Sequence, residues 1–209
     1  GHCFCRYADD CNIYVGCRSS GERVMASVTR FVEQRLKLRV NRDKSAVARP
    51  WQRTFLGYTF SWHRKTRIRV AKASIKRFKS KLKVLFRKGR GCNLARFIQQ
   101  DLNPVIRGWI NYFRLAEFRG FAEQLDMWLR RHLRCILWRQ WKRRWRRLRM
   151  LMKLGLAEKR AARSAFNQRG PWFNAGASHM NQALPKRYFD QFELISMLRT
   201  LRRIGPVLT

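Results

Sequence analysis

With 209 residues, 45% of them hydrophobic, the chain has enough apolar material to bury a core in one large or two small domains. Its 48 Lys and Arg against 12 Asp and Glu give a formal charge of +36, which repels itself strongly unless a polyanion neutralises it. Aromatic residues, 13% of the chain, are interleaved with an excess of Arg over Lys, which favours RNA or single strands through guanidinium contacts and base stacking. A membrane surface is the competing polyanion, but no run approaches the roughly 18 apolar residues of a spanning helix, and no membrane partner is expected.

The chain starts at Gly1, without a methionine, straight into a strand-like segment, and so reads as a piece of something longer. Cys3 to Val15 predicts two strands around a turn at Asp9 and Asp10, because β-branched and aromatic residues bracket the pair. Adjacent carboxylates on a tight turn aim negative charge at metal ions, and oxygen-only donors suit Mg²⁺. The plain alternative is an Asx-type turn that merely reverses the chain. Cys3, Cys5, Cys11, Cys17, Cys92 and Cys135 show no Cys-x-x-Cys spacing, so neither a zinc site nor a disulfide framework is indicated. Cys3 and Cys5 fall on one strand face as small core residues, and reduced thiols point to an intracellular, cytoplasmic protein.

Ser19 and Glu22 have capping-box spacing ahead of Val24, Val28, Phe31 and Leu36, predicting a helix over about 20–37. Leu38 and Val40 alternate as a short strand leading into Asn41 to Ser45. Phe55 to Phe60 reads as a strand broken by Gly57, and a strand over 67–70 completes a second hairpin. From about residue 72 the period turns helical and stays so, which makes the fold class α+β followed by all-α.

Ile75, Phe78, Leu82 and Phe86 form an apolar stripe that Gly89 and Gly91 stop. A short helix carrying Leu94, Phe97 and Ile98 should end before Asn103-Pro104, with Pro104 opening the next helix. The longest helix is expected over 121–154. It places Trp138, Trp141, Trp145 and Leu148 on one face and Arg139, Lys142, Arg143, Arg144, Arg146 and Arg147 on the others. Tryptophans stacking on RNA, or packed inward while the cations meet phosphate, both fit this pattern; a membrane-active helix explains residues 138–149 alone. A helix over 157–165, a turn-rich segment over 167–176 and a last helix over 188–203 follow. Arg169 and Trp172 in the turn-rich segment suit either recognition or packing.

Four stretches resemble reverse transcriptases encoded by group II introns, and together they cover nearly the whole chain. Phe4 to Asp10 resembles the catalytic hairpin, Leu38 to Lys44 the palm segment after it, Phe55-Leu56-Gly57 the primer-grip hairpin, and Gly108 to Arg114 the signature of the thumb, or maturase domain X. The tail from Arg163 through Trp172 to Tyr188 is similar to the end of that domain. Ser45 stands where the family usually has threonine, which keeps the hydroxyl.

The resemblance implies a partial polymerase palm over 1–71 and a helical, RNA-binding thumb/maturase domain over 72–209. By the same resemblance Asp9 and Asp10 help hold two Mg²⁺ ions, with one further carboxylate supplied upstream. Tyr7 and Ala8 shape the floor beside primer and nucleotide, Leu56 and Gly57 steady the primer terminus, and Lys44 donates a proton to the departing pyrophosphate. The implied partners are group II intron RNA, an RNA template with a DNA primer, target DNA and deoxynucleoside triphosphates. No paired-cysteine endonuclease module follows the maturase region. The implied activity is RNA-directed DNA polymerisation with a maturase role in splicing and retrohoming, this stretch alone being inactive as a polymerase. The rival is a non-enzymatic RNA-binding splicing factor.

Overall fold

Strand β1 (Cys3–Tyr7) pairs antiparallel with β2 (Asp10–Tyr14) in the computed structural model, which describes residues 2–204. Tyr7 stands opposite Asp10, so Ala8 and Asp9 alone make the turn, and Ala8 takes φ 53, the positive value that tight hairpin turns require. The chain divides into two compact units, Gly1–Ala71 and Lys72–Thr209. With two small antiparallel hairpins and many helices, the fold is mixed α and β.

In the first unit α1 (Arg18–Arg30) is preceded by Cys17 as N-cap, and no side chain caps it. The helix therefore starts ahead of Ser19, and the expected capping box does not form; Glu22 instead accepts from Arg18 Nε at 2.9 Å. The last turn widens into a π-helical segment, Phe31–Arg35. Buried Gly21 lies against the following loop, where an added Cβ would stand 2.7 Å from Val47 Cγ1.

Residues 38–40 are not the strand that their alternation suggests. Lys37 turns at φ 54 and the Leu38 N–H bonds back to the Val32 carbonyl at 3.1 Å, so the chain folds onto the helix end instead of pairing with a sheet edge. The strand expected over 55–60 is also shorter. Phe55 and Tyr58 exchange backbone hydrogen bonds of 3.0 and 2.9 Å around Leu56 (φ 51) and Gly57 (φ 80), a type I′ turn. From it β3 (Tyr58–Phe60) runs out to pair with β4 (Ile68–Val70). Among the described residues of this unit, those buried are Gly21, Ser61, Val70 and Ala71. Cys3 and Cys5 are exposed rather than core, because β1 is uncovered along its whole length.

The second unit is helical. On α2 (Lys72–Lys88) every fourth residue from Ser74 through Phe78 and Leu82 to Phe86 is buried, while the other faces carry Lys and Arg. A 3₁₀ turn, Gly89–Gly91, ends it, and an added Cβ at Gly89 would come within 2.7 Å of the Phe97 ring. Helix α3 (Leu94–Arg96), capped by Asn93, runs through a π-helical segment, Phe97–Leu102, directly into α4 (Asn103–Tyr112). The expected break before Pro104 is thus a change of register. In an α-helix the proline ring would strike the carbonyl four residues back. Here Asn103 N–H reaches five residues back to Ile98, and the wider turn accommodates the ring without ending the helix.

Helix α5 (Arg119–Gln140) buries Ala122, Leu125, Leu129, Leu133, Ile136 and Leu137. It stops well short of residue 154: Trp141 (ψ 62) and Arg143 (ψ 145) leave helical geometry, and α6 (Arg144–Lys153) begins anew. The break lets Trp138 and Trp141 both bury, while Trp145 is turned out, 67% exposed, with its ring edge on Phe166. Short helices complete the unit: α7 (Glu158–Ala165), α8 (Pro171–Gly176), α9 (Ser178–Ala183), α10 (Lys186–Asp190) and α11 (Met197–Ile204). The turn-rich segment is therefore half helix, entered at Pro171 in the first turn where its missing N–H costs nothing. The single last helix expected over 188–203 is two, separated at Glu193 (φ 60).

Side chains from the middle of the unit fix its end. The buried Asp126 carboxylate accepts from Ser196 Oγ (2.6 Å) and from the backbone N–H groups of Met197 (2.9 Å) and Leu198 (3.3 Å), capping α11 from α5. Asn103 bridges the Glu193 carbonyl and the Ile195 N–H. Asp126→Ala leaves these donors unpaired and should destabilise the chain by about 2–3 kcal/mol, with Asp126→Asn costing less. Thermal melts of both variants measure the loss, and a melting temperature unchanged in Asp126→Ala contradicts the cap.

Candidate functional site

At the tip of the first hairpin, Tyr7, Ala8, Asp9 and Asp10 are all exposed, and Tyr7 keeps 64% of its surface open. Asp9 occupies the turn and Asp10 opens β2, so both carboxylates sit at the same end of the hairpin. Among the described residues no group of three or more His, Cys, Asp or Glu is arranged to hold a metal ion.

Asn41 builds the turn that carries exposed Lys44: its Oδ1 and its carbonyl both accept from the Lys44 N–H, at 3.1 and 3.3 Å. Arg53 donates to the Lys44 carbonyl, tying the turn to the stretch ahead of the second hairpin. Leu56 and Gly57 are the two central residues of the type I′ turn and are half-buried. Leucine at positive φ is uncommon, whereas Gly57 meets the same demand without a Cβ.

The second unit carries cations of two kinds. Arg139, Lys142, Arg143, Arg144 and Arg146 are exposed around the α5–α6 break. Arg147, the next in the run, is structural: its Nε donates to the Trp141 carbonyl at 2.9 Å and its guanidinium lies 4.8 Å from the Trp138 ring. Burial lowers its pKa, with Arg144 adding to the effect. It thereby occupies a carbonyl that the helix break leaves without an intrahelical donor. Arg134 is likewise internal, donating to the Leu184 carbonyl at 3.0 Å, and burial followed by the charge of Arg130 lowers it to about 10.

Around α8 the cations sit on aromatic rings. The Arg131 guanidinium stacks 4.2 Å from Trp172 and donates to the Trp172 carbonyl at 3.1 Å. Arg169 covers Phe173 at 4.3 Å. His132 lies 4.7 Å from Trp172, 4.2 Å from Trp128 and flat on Phe86 at 4.5 Å.

Residues 75–154 match the family model of the group II intron, maturase-specific domain. Over that stretch the chain is similar to a maturase domain of group II introns. The match extends from the first turn of α2 to the end of α6 and so takes in both the α2 cations and the α5–α6 break. No curated protein matches the chain. No helix among the described residues is long and apolar enough to cross a membrane.

Arg169 and Trp172 stand out in the sequence, and beside them the fold gathers Trp128, Arg131, His132 and Phe173, which do not. The signal was present: Trp128, Arg131 and His132 follow the i, i+3, i+4 spacing of one helix face.

His132 contributes a ring and no charge near neutrality. Burial, then the charges of Lys83 and Arg131, lower its pKa to about 4. His179 is lowered too, by burial and Arg160. An unfolded histidine takes up its proton near pH 6.5, so the folded form's advantage is complete above that pH and is lost as pH falls from 6.5 toward 4. Melting temperatures across that window should fall for the wild type and fall less for His132→Phe, His179 accounting for part of what remains. Parallel curves for the two proteins would contradict the assignment.

Proposed function

We propose that this chain is the C-terminal portion of a group II intron-encoded reverse transcriptase, and that its helical unit binds intron RNA as a maturase and supports splicing. The observation that carries the reading is the maturase-specific match over residues 75–154. Physical support comes from the charge: with 12 carboxylates for 48 cations, most Lys and Arg have no acid of their own and suit phosphate. The exposed cluster at Arg143, Arg144 and Arg146 is the phosphate-facing part, whereas Arg147 holds the helix break together.

The first unit is proposed as the end of the polymerase palm. Asp9 and Asp10 would hold Mg²⁺: they are hard oxygen donors on an exposed turn, with further ligands to come from outside the described residues. When bound, the ions supply activation of a primer 3′-hydroxyl and neutralisation of charge on the nucleotide phosphates. Tyr7 and Ala8 lie at the same hairpin tip and would border primer and incoming deoxynucleoside triphosphate. The Leu56-Gly57 turn would steady the primer terminus, and Lys44, exposed on its Asn41 turn, would donate a proton to the departing pyrophosphate. Template RNA and target DNA complete the proposed partners. Splicing assistance alone, without copying, is the second reading; it is favoured by the family match lying entirely within the helical unit.

Two measurements separate these roles. Replacing Arg143, Arg144 and Arg146 together by Ala should weaken intron RNA binding about tenfold or more and lower its salt slope by roughly two to three. Unchanged affinity and slope would remove phosphate contact from this cluster. In the longer enzyme, Asp9→Asn should abolish primer extension while RNA affinity stays within about twofold, and undiminished extension would refute the metal role.

A further inference from the structure

Helices α2, α5 and α8 bring together a surface that phosphate binding alone leaves unexplained. Trp172 is 41% exposed although the Arg131 guanidinium covers it at 4.2 Å and His132 stands 4.7 Å away, so the open part of the indole is what those two groups leave uncovered. Its neighbour Phe173 is 47% exposed and carries Arg169 at 4.3 Å. Trp128 and Lys79 extend the same surface, the ammonium lying 5.9 Å from the indole centre.

The ring is held, not loose. His132 is wedged between Trp172, Trp128 and Phe86. Arg131 is pinned from the other side as well, since an added Cβ at Gly176 would meet its guanidinium at 2.8 Å. An aromatic ring fixed in orientation, partly open and flanked by cations has the makings of a base-stacking platform: any base offers a π-face, and the adjoining phosphates meet the positive charge. A duplex keeps its bases stacked on each other and presents backbone and groove edges, not base faces, to such a ring.

Building on the RNA-binding reading above, we propose that Trp172, braced by Arg131 and His132 and flanked by Phe173 and Arg169, is a stacking site for unpaired nucleotides of the bound RNA, separate in role from the α6 arginines. The α6 cluster grips phosphates whatever their pairing; the Trp172 surface selects strands whose bases are free. The neutral state of His132 near pH 7 suits this role, because a protonated imidazole would repel Lys83 and the Arg131 guanidinium that braces the indole.

The test compares the full chain and its variants on a short unstructured RNA containing 2-aminopurine and on a blunt-ended RNA duplex of similar length, with circular dichroism confirming the fold of each variant. Trp172→Ala should weaken binding to the unstructured RNA about tenfold and abolish the change in 2-aminopurine fluorescence. Binding to the duplex should stay within about twofold, and Trp172→Phe should retain most of the single-strand affinity. Equal loss on both RNAs, or no loss on the unstructured one, overturns the platform. The Arg143, Arg144 and Arg146 variant run alongside should weaken both RNAs. If it weakens neither, the phosphate reading fails independently of the result at Trp172.

Discussion

Apolar burial on α5 is the interaction on which the helical unit depends, because nothing else in the chain can outweigh its charge. Leu125, Leu129 and Leu133 are fully buried on this helix, as are Leu82 on α2 and Ile106 and Ile110 on α4, each contributing roughly 1.5–3 kcal/mol relative to exposure. Ion pairs could not substitute. Those formed, such as Arg18 with Glu22 and Lys88 with Asp101, lie at the surface, where screening reduces a pair to about 0–1 kcal/mol. The arrangement therefore puts apolar side chains at the centre, leaves charge outside, and makes a polyanion a stabilising ligand as well as a functional one.

The arginines divide accordingly. Arg131, Arg134 and Arg147 are used as shaped, flat groups that fill space against aromatic rings and satisfy backbone carbonyls. Arg143, Arg144 and Arg146 remain at the surface. A run of consecutive basic residues thus contains both a fastener and its neighbours' solvent-facing charge, and only the tertiary structure tells them apart.

Much of the architecture was legible from the residues. The first hairpin, its turn expected at Asp9-Asp10 and found one residue earlier, the apolar stripe of α2 and its glycine stop all follow from local pattern, whereas the tight turn at Leu56-Gly57 was hidden in what reads as one strand over 55–60. What escaped was set by longer-range demands. The break at Trp141 exists because two tryptophans bury together. The Leu38 segment stays out of a sheet because its N–H is claimed by Val32. Asp126 caps a helix that begins more than seventy residues later, a relation that no window of sequence contains. At the hairpin tip the acidic pair could be located from the sequence because turn chemistry is local, whereas the Trp172 surface draws on three helices and emerged only from their packing.

The π-helical segment before Pro104 has a bearing on how this part of the gene can change. A π turn amounts to one surplus residue threaded into an otherwise regular helix. Loss of a single codon between those for Phe97 and Leu102 would remove that surplus and restore ordinary α-helical spacing, with the helix on either side keeping close to its present facing. The proline, however, would then regain its steric conflict with the carbonyl four residues back. Point substitutions on the solvent side of this segment are cheap by comparison, so drift here should proceed by replacement and rarely by change of length.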